Sequence, residues 1–272
     1  MKKIQAVWPA GSVAYVGHAA SGPCSGSLPN LVWHCSAAMI ANMDIDLNCD
    51  LGEGCPCDAE LMPLITSANI ACGFHAGDAA AAHAALRLAA RHGVQAGAHP
   101  GFPDREHFGR RELPRTEEQI FEDCVYQIGA LAGLARAAGI SLRYVKPHGA
   151  LYNLACRDDA YARPIIEATC LFGLELMALP ESRLEALSAG RCAFVREGFA
   201  DRRYLPDGSL APRSQPDAFV TDPAEAVRQA EWLLRERGVR TLCVHGDNPQ
   251  AVAFVRALRD ALQAQGIVIR KF

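Results

Sequence analysis

Four of the nine histidines, His75, His99, His148 and His245, stand just after short apolar runs, where strands are expected to end. Histidine titrates near neutrality, so at such a place it serves as acid, base or neutral metal ligand. A single one reads as a hydrogen-bonded structural residue; four converging on one rim read as a site. Asp46 and Asp50, in the alternating stretch DIDLNCD, add two carboxylates on one face of a strand. Two acids in one pocket push their proton affinities apart, giving a protonated acid beside an ionised base. Asp50, His75 and His99 equally suit a divalent metal that activates water. Metal-free acid–base chemistry is the preferred reading.

Basic groups accompany them. Lys146, between Val145 and Pro147-His148, suits stabilisation of a developing anion. Arg110 and Arg111, at the end of the long Pro/Gly-rich segment after His99, suit bidentate grip on a carboxylate or phosphate. Glu197, Asp201 and Arg202 follow another apolar run, and His245 and Asp247 close the last one. Cys55-Pro56-Cys57 has no second cysteine pair at zinc spacing and reads as incidental.

Positioning these groups requires strands that all point one way. From Met43 a unit recurs: short apolar run, polar cluster, amphipathic helix, glycine. Asp78 is the expected N-cap of a helix running to Arg91 and stopped by Gly93; Thr116-Glu117-Glu118-Gln119 is a capping box for a helix reaching Gly139. Asp222-Pro223 opens a further helix and Asn248-Pro249 the last. Alternating strands and long helices are the pattern of parallel βαβ units. Seven or so units in about 230 residues, without a glycine-rich nucleotide fingerprint, predict one closed α/β domain, a (β/α) barrel, rather than an open sheet. Ile45, Leu47 and Cys49 then face the helices, and Asp46, Asn48 and Asp50 face the interior.

Composition narrows the function classes. The chain has 272 residues, half of them apolar, with 27 basic against 30 acidic side chains, a net charge of −3. No run of like charge asks for nucleic acid or a membrane surface. Eleven scattered cysteines read as reduced and cytoplasmic. Residues 1–42 differ in kind, with no charged side chain from Ile4 to Met43. Pro9, Gly11, Ser12 and Gly17 break their apolar run too early for a signal core or a spanning helix. They are expected to lie outside the fold, before a barrel domain over 43–272, and to stem from a start assigned too early.

The strings IDLNCDLGEG, SANIACGFHAGD, GAHPGFPD, FGRR, VKPHGALYN, EGFADRRY and VHGD, in this order, make the chain resemble the LamB/YcsF family from Met43 to the last helix. Residues 1–42 and Cys55-Pro56-Cys57 depart from that pattern. The resemblance implies a distorted (β/α) barrel similar to glycoside hydrolase and polysaccharide deacetylase barrels. It also implies ring opening of 5-oxo-L-proline to L-glutamate with ATP hydrolysis, by one component of a 5-oxoprolinase whose partners are subunits B and C. No G-x-x-x-x-G-K-[ST] pattern occurs, so ATP chemistry is expected in the partners. On this expectation Asp46 or Asp50 orients water, His75, His99 or His148 transfers protons and Lys146 stabilises the anion. Asn48, Arg110, Arg111, Asn153, Glu197, Asp201, Arg202, His245 and Asp247 are the substrate-binding candidates, with Arg110 or Arg111 on the substrate carboxylate. A metal-dependent amide or N-acetyl hydrolase on the same barrel is the alternative.

Overall fold

The computed structural model describes residues 43–246 and 250–272. The expected extension over 1–42, Asp247 and the Asn248-Pro249 helix start lie outside them. Seven parallel strands close a barrel: β1 (Asp44–Leu51), β2 (Ser67–Ala71), β3 (Gln95–His99), β4 (Leu142–Val145), β5 (Glu175–Ala178), β6 (Phe194–Phe199) and β7 (Thr241–Val244). Each pairs with its sequence neighbour, and β7 returns to β1 with Asp46 opposite Thr241. A short eighth strand, β8 (Val268–Ile269), adds to the start of β1 outside the ring. Seven staves instead of eight, and a register shift between Ala96 and Gly97 where β3 meets β4, make the barrel irregular.

Helices α1 (Asp58–Leu61), α2 (Ala79–His92), α3 (Glu117–Ala137), α4 (Gly149–Arg157), α5 (Asp159–Leu171), α6 (Arg183–Ser188), α7 (Pro223–Glu236) and α8 (Ala251–Ala264) surround it. Their starts follow the sequence signals. Asp78 accepts from Ala81 N–H, the Thr116 box closes reciprocally with Gln119, and Asp222 caps α7 with Pro223 in its first turn. Gly93 ends α2 in the left-handed conformation.

The β1 alternation resolves as expected. Ile45, Leu47, Cys49 and Leu51 are buried in the apolar layer between strands and helices. Each leucine so buried is worth about 1.5–3 kcal/mol. Asp46, Asn48 and Asp50 point inward and are also buried. A polar interior must satisfy its own hydrogen bonds, and β2 supplies the partners. Ser67 and Thr66 donate to Asp46 Oδ1 (2.7 and 2.6 Å), while Asn69 Nδ2 donates to Asn48 Oδ1 (2.7 Å) and Asp50 Oδ1 (2.8 Å). Tyr144 crosses the barrel to donate to Asn69 Oδ1 at 2.7 Å. Below it, Met177, Val195 and Phe272 fill the remaining space with apolar atoms.

Candidate active site at the barrel mouth

β1 and β4 bring the first pair together. Lys146 Nζ, fully buried, lies 2.9 Å from both Asp50 Oδ1 and Glu197 Oε1, 3.0 Å from Cys243 Sγ and 3.3 Å from Asn48 Oδ1. An ammonium has three hydrogens, so four neighbours leave none for a reacting oxygen. Lys146 lines the mouth, where its ammonium is shared among these groups. Burial works against its charge, but Asp50, Cys243 and Glu197 outweigh burial and hold the ammonium well above its ordinary range. Burial would likewise raise the Asp50 carboxyl; His99 and Lys146 overcome it and hold the group well below the usual carboxylate range. Glu197 sits within β6, not past it, and takes Tyr152 Oη on its other oxygen at 2.9 Å. Tyr152, although it lies in the string VKPHGALYN, and Cys243 are participants that were not among the sequence candidates.

His75, His99 and His148 converge. The His75 and His148 rings stack with centroids 3.8 Å apart and planes 3° from parallel, and His99 stands edge-on to both. Glycine makes the stack fit. A Cβ on Gly101 would come 2.7 Å from His75 Nδ1, and one on Gly109 would come 2.7 Å from His75 Cβ and 3.0 Å from His148 Cδ2. Gln127 of α3, fully buried, holds that loop by bonding both N–H and C=O of Gly101 at 3.0 Å. Burial and neighbouring imidazoles lower the proton affinity of His75 and His148 well below the ordinary value, so both are neutral at pH 7.

Hydrogen placement follows from the backbone. His99 Nδ1 faces Lys146 O at 2.7 Å and His148 Nε2 faces Phe108 O at 2.9 Å. A carbonyl only accepts, so both nitrogens carry hydrogen. The lone pair of His148 Nδ1 then faces His99 Nε2 at 2.9 Å, which meets it either as a donor or with a lone pair of its own. Glu53 Oε1 lies 3.2 Å from His75 Nε2, 3.6 Å from His148 Nδ1 and 4.0 Å from His99 Nε2. This face-to-face pair and the carboxylate suit a cation or a shared proton, and the donor set of one carboxylate and three imidazoles fits a divalent ion. Glu53 was not among the sequence candidates. It follows β1 in a turn between Gly52 and Gly54, where nothing in the strand alternation points to it. Asp50, Cys243 and His245 also come within 4.8 Å of one another, but Lys146 Nζ already bonds Asp50 and Cys243, which leaves no room for a second ion there.

His245 is close by: its N–H and Nδ1 bond Asp201 Oδ2 at 2.9 and 2.8 Å, and its ring stacks on Phe199. A cavity of about 620 Å³ opens above these groups, lined by Asp50, His99, Lys146, His148, Arg202 and His245, with Arg110 and Asn153 at its walls. Two candidates lie elsewhere. Asp46 is four residues below Asp50 near the other end of the barrel, held by Thr66, Ser67 and Thr241 and facing a cavity beside Arg270 and Phe272. Arg111 pairs with buried Asp104 at 3.1 Å and does not line the mouth cavity. Among the described residues, Cys55 and Cys57 join no metal-ligating cluster; Cys57 Sγ bonds Gly246 O at 3.1 Å.

A closed parallel barrel with acid, histidine and ammonium groups gathered at the C-terminal strand ends defines a (β/α)-barrel protein with an enzyme-like mouth. The chain belongs to the LamB/YcsF family, whose profile matches residues 45–272. It is 47% identical over 251 residues to a protein of Thermus thermophilus named as the A component of 5-oxoprolinase, covering 85% of this chain and all of that one. A protein of the same name from Methylococcus capsulatus is 48% identical over 246 residues, covering 83% and 94% of the two chains. The crystal structure of the lactam utilization protein from Thermus thermophilus superposes with a TM-score of 0.77 at 43% identity, covering 85% of this chain and all of that chain. The expected family and barrel therefore hold. Among the described residues no helix is long and apolar enough to cross a membrane.

Proposed function

We propose that this chain is the component of an ATP-dependent 5-oxoprolinase in which the lactam ring of 5-oxo-L-proline opens to L-glutamate, working in the cytoplasm with partner subunits B and C. The names of its relatives support the substrate, and the lack of a P-loop pattern in the sequence supports ATP use by the partners. The observation that carries the reading is the division of labour on Asp50: Oδ1 is committed to Lys146 and Asn69, while Oδ2 faces His99 Nε2 at 3.4 Å beside the open cavity.

A five-membered lactam is a poor electrophile. Transfer of the ATP γ-phosphoryl to its carbonyl oxygen releases ADP and leaves an electrophilic ring carbon. Water held by Asp50 Oδ2 adds to that carbon and passes its proton to His99 Nε2, whose other nitrogen is pinned to Lys146 O. The carbon–nitrogen bond then breaks and the nitrogen takes a proton from the His99–His148 pair, leaving an open-chain acyl phosphate. A second water releases orthophosphate and glutamate, so two waters and one ATP are consumed. Asp50 stabilises the transient imidazolium, and Arg110, over the Phe108 ring at 4.7 Å, receives the substrate carboxylate. Incubating labelled 5-oxoproline and ATP with this chain and both partners, each omitted in turn, gives labelled glutamate only in the full mixture. Asp50→Asn lowers that yield by two orders of magnitude or more; wild-type yield from the variant removes Asp50 from the chemistry.

The Glu53 cluster favours a second reading, metal-assisted amide hydrolysis. Glu53, His75, His99 and His148 would hold a divalent cation, which when bound supplies a water of lowered pKa. Elemental analysis together with glutamate release in the absence of ATP separates the two.

A further inference from the structure

Of the three clustered histidines, two are fixed through a ring nitrogen, His99 Nδ1 on Lys146 O and His148 Nε2 on Phe108 O. His75 has no such tether. Its Nδ1 is buried without a hydrogen-bond partner, and its Nε2 faces Glu53. Yet the residue is 1% exposed and its ring lies 3° from parallel to that of His148. Its orientation must therefore come from the backbone that carries it, the loop GFHAG over 73–77 between β2 and α2.

That loop is clasped from outside. Arg105, exposed at the start of the helical turn Arg105–His107 after β3, donates Nη1 to Gly73 O at 2.6 Å and Nη2 to Gly77 O at 2.7 Å. Neither carbonyl belongs to a strand or helix, so each needs such a donor or water. A planar guanidinium fork serves two acceptors at once, which a compact ammonium does less well. The loop is closely held on another side too: a Cβ on Gly77 would fall 2.0 Å from Gly52 O, in the turn that delivers Glu53. The turn begun by Arg105 leads into Phe108, whose ring stands edge-on to both His75 and His148 and whose carbonyl tethers His148. One guanidinium thus joins the segment carrying one ring of the stack to the segment that secures the other.

We infer that Arg105 is the positioning residue of the histidine cluster: its two hydrogen bonds set the span of the 73–77 loop, hold the His75 ring flat on His148 and so keep His148 Nδ1 aimed at His99 Nε2. The effect on turnover rests on the 5-oxoprolinase reading; the effect on the rings does not.

The test records imidazole nitrogen–hydrogen correlation spectra of the isotope-labelled full chain, alongside turnover of labelled 5-oxoproline by the complete mixture with both partners. Arg105→Leu shifts or broadens the His75 and His148 ring signals and leaves that of His92, at the far end of α2, in place. In the same variant kcat falls roughly a hundredfold, the scale of an ångström-sized misplacement, while KM stays within about twofold because substrate contacts are kept. Arg105→Lys recovers part of both. Arg87→Gln, which removes an exposed arginine from α2, changes neither. Arg105 is itself exposed, so neither of its variants opens a gap in the core. Unmoved rings in Arg105→Leu, even with a lowered melting temperature, make Arg105 a structural brace only and overturn the inference. Displaced rings with undiminished turnover uphold the positioning and remove the stack from the chemistry. Absence of turnover from the wild-type mixture overturns the substrate reading instead, and the ring spectra still decide the role of Arg105.

Discussion

His99 Nε2 and His148 Nδ1 face each other at 2.9 Å while their other nitrogens are tied to the backbone carbonyls of Lys146 and Phe108. With both rings neutral, the pair cannot relieve its lone-pair repulsion by swapping tautomers, because each swap would turn a lone pair on a carbonyl. It suits a positive charge, a metal ion or a shared proton. Chelator-treated protein should therefore gain several degrees of melting temperature on addition of a first-row divalent ion: occupancy at a hundredfold excess over Kd is worth about 2.7 kcal/mol, and a domain of this size moves about 2–4 °C per kcal/mol. Glu53→Gln should remove most of the gain. A melting curve indifferent to every such ion would leave the shared proton as the occupant.

Lys146 answers for two buried carboxylates. Lys146→Met removes the ammonium that Asp50 and Glu197 share, and breaking a buried pair from one side costs about 3–5 kcal/mol. Adding Glu197→Gln should return part of that stability without returning activity. Urea unfolding of the single and double variants measures the difference; equal stabilities would mean that the ammonium does not answer for Glu197.

Asp46 gives a pH signature of opposite sign to an ordinary carboxylate. Burial, opposed by the Thr241, Thr66 and Ser67 hydroxyls, raises it to about 6 from 3.8. The folded state thus binds a proton more tightly than the unfolded chain. Its contribution is complete below pH 4, is lost as pH rises to about 6, and leaves a penalty of about 3 kcal/mol above that, at 1.36 kcal/mol per pH unit. Asp46→Asn should compare worst with wild type near pH 4 and best near pH 7. It should retain turnover, since the mouth lies at the other end of the barrel. A stability difference independent of pH would contradict this.

Gly109 is a point of close packing against two rings of the histidine stack. It has φ +65°, and a methyl group there meets both His75 and His148. Gly109→Ala should cost a few kcal/mol through backbone strain and overpacking, and should depress activity far more than Gly133→Ala on α3, where a Cβ meets nothing within 4 Å.

The closed barrel was legible because its signals are local. Caps at Asp78, Thr116 and Asp222 and the two-residue period of β1 act over a few residues, and the structure repeats them. Convergence of His75, His99 and His148 follows once the strands are parallel. What escaped depends on contacts distant in sequence. Glu53 enters the histidine cluster because the β1–α1 turn folds back over the mouth. The neighbours that surround the Lys146 ammonium, Glu197 and Cys243, arrive from β6 and β7. Asp46 and Asp50 share a face, but with a rise of about 3.3 Å per residue they stand about 13 Å apart, which alternation alone does not reveal.

The ladder of amides and hydroxyls joining β1 to β2 sets a rule for recombining this barrel with its relatives. Asn69 and Ser67 are cut to fit Asn48, Asp50 and Asp46, so a chimera with a crossover between the two strands would inherit mismatched halves of one polar lattice. Fragments exchanged among relatives should carry both staves as a single cassette, whereas the outer helices, which meet the strands through apolar side chains, can be traded more freely.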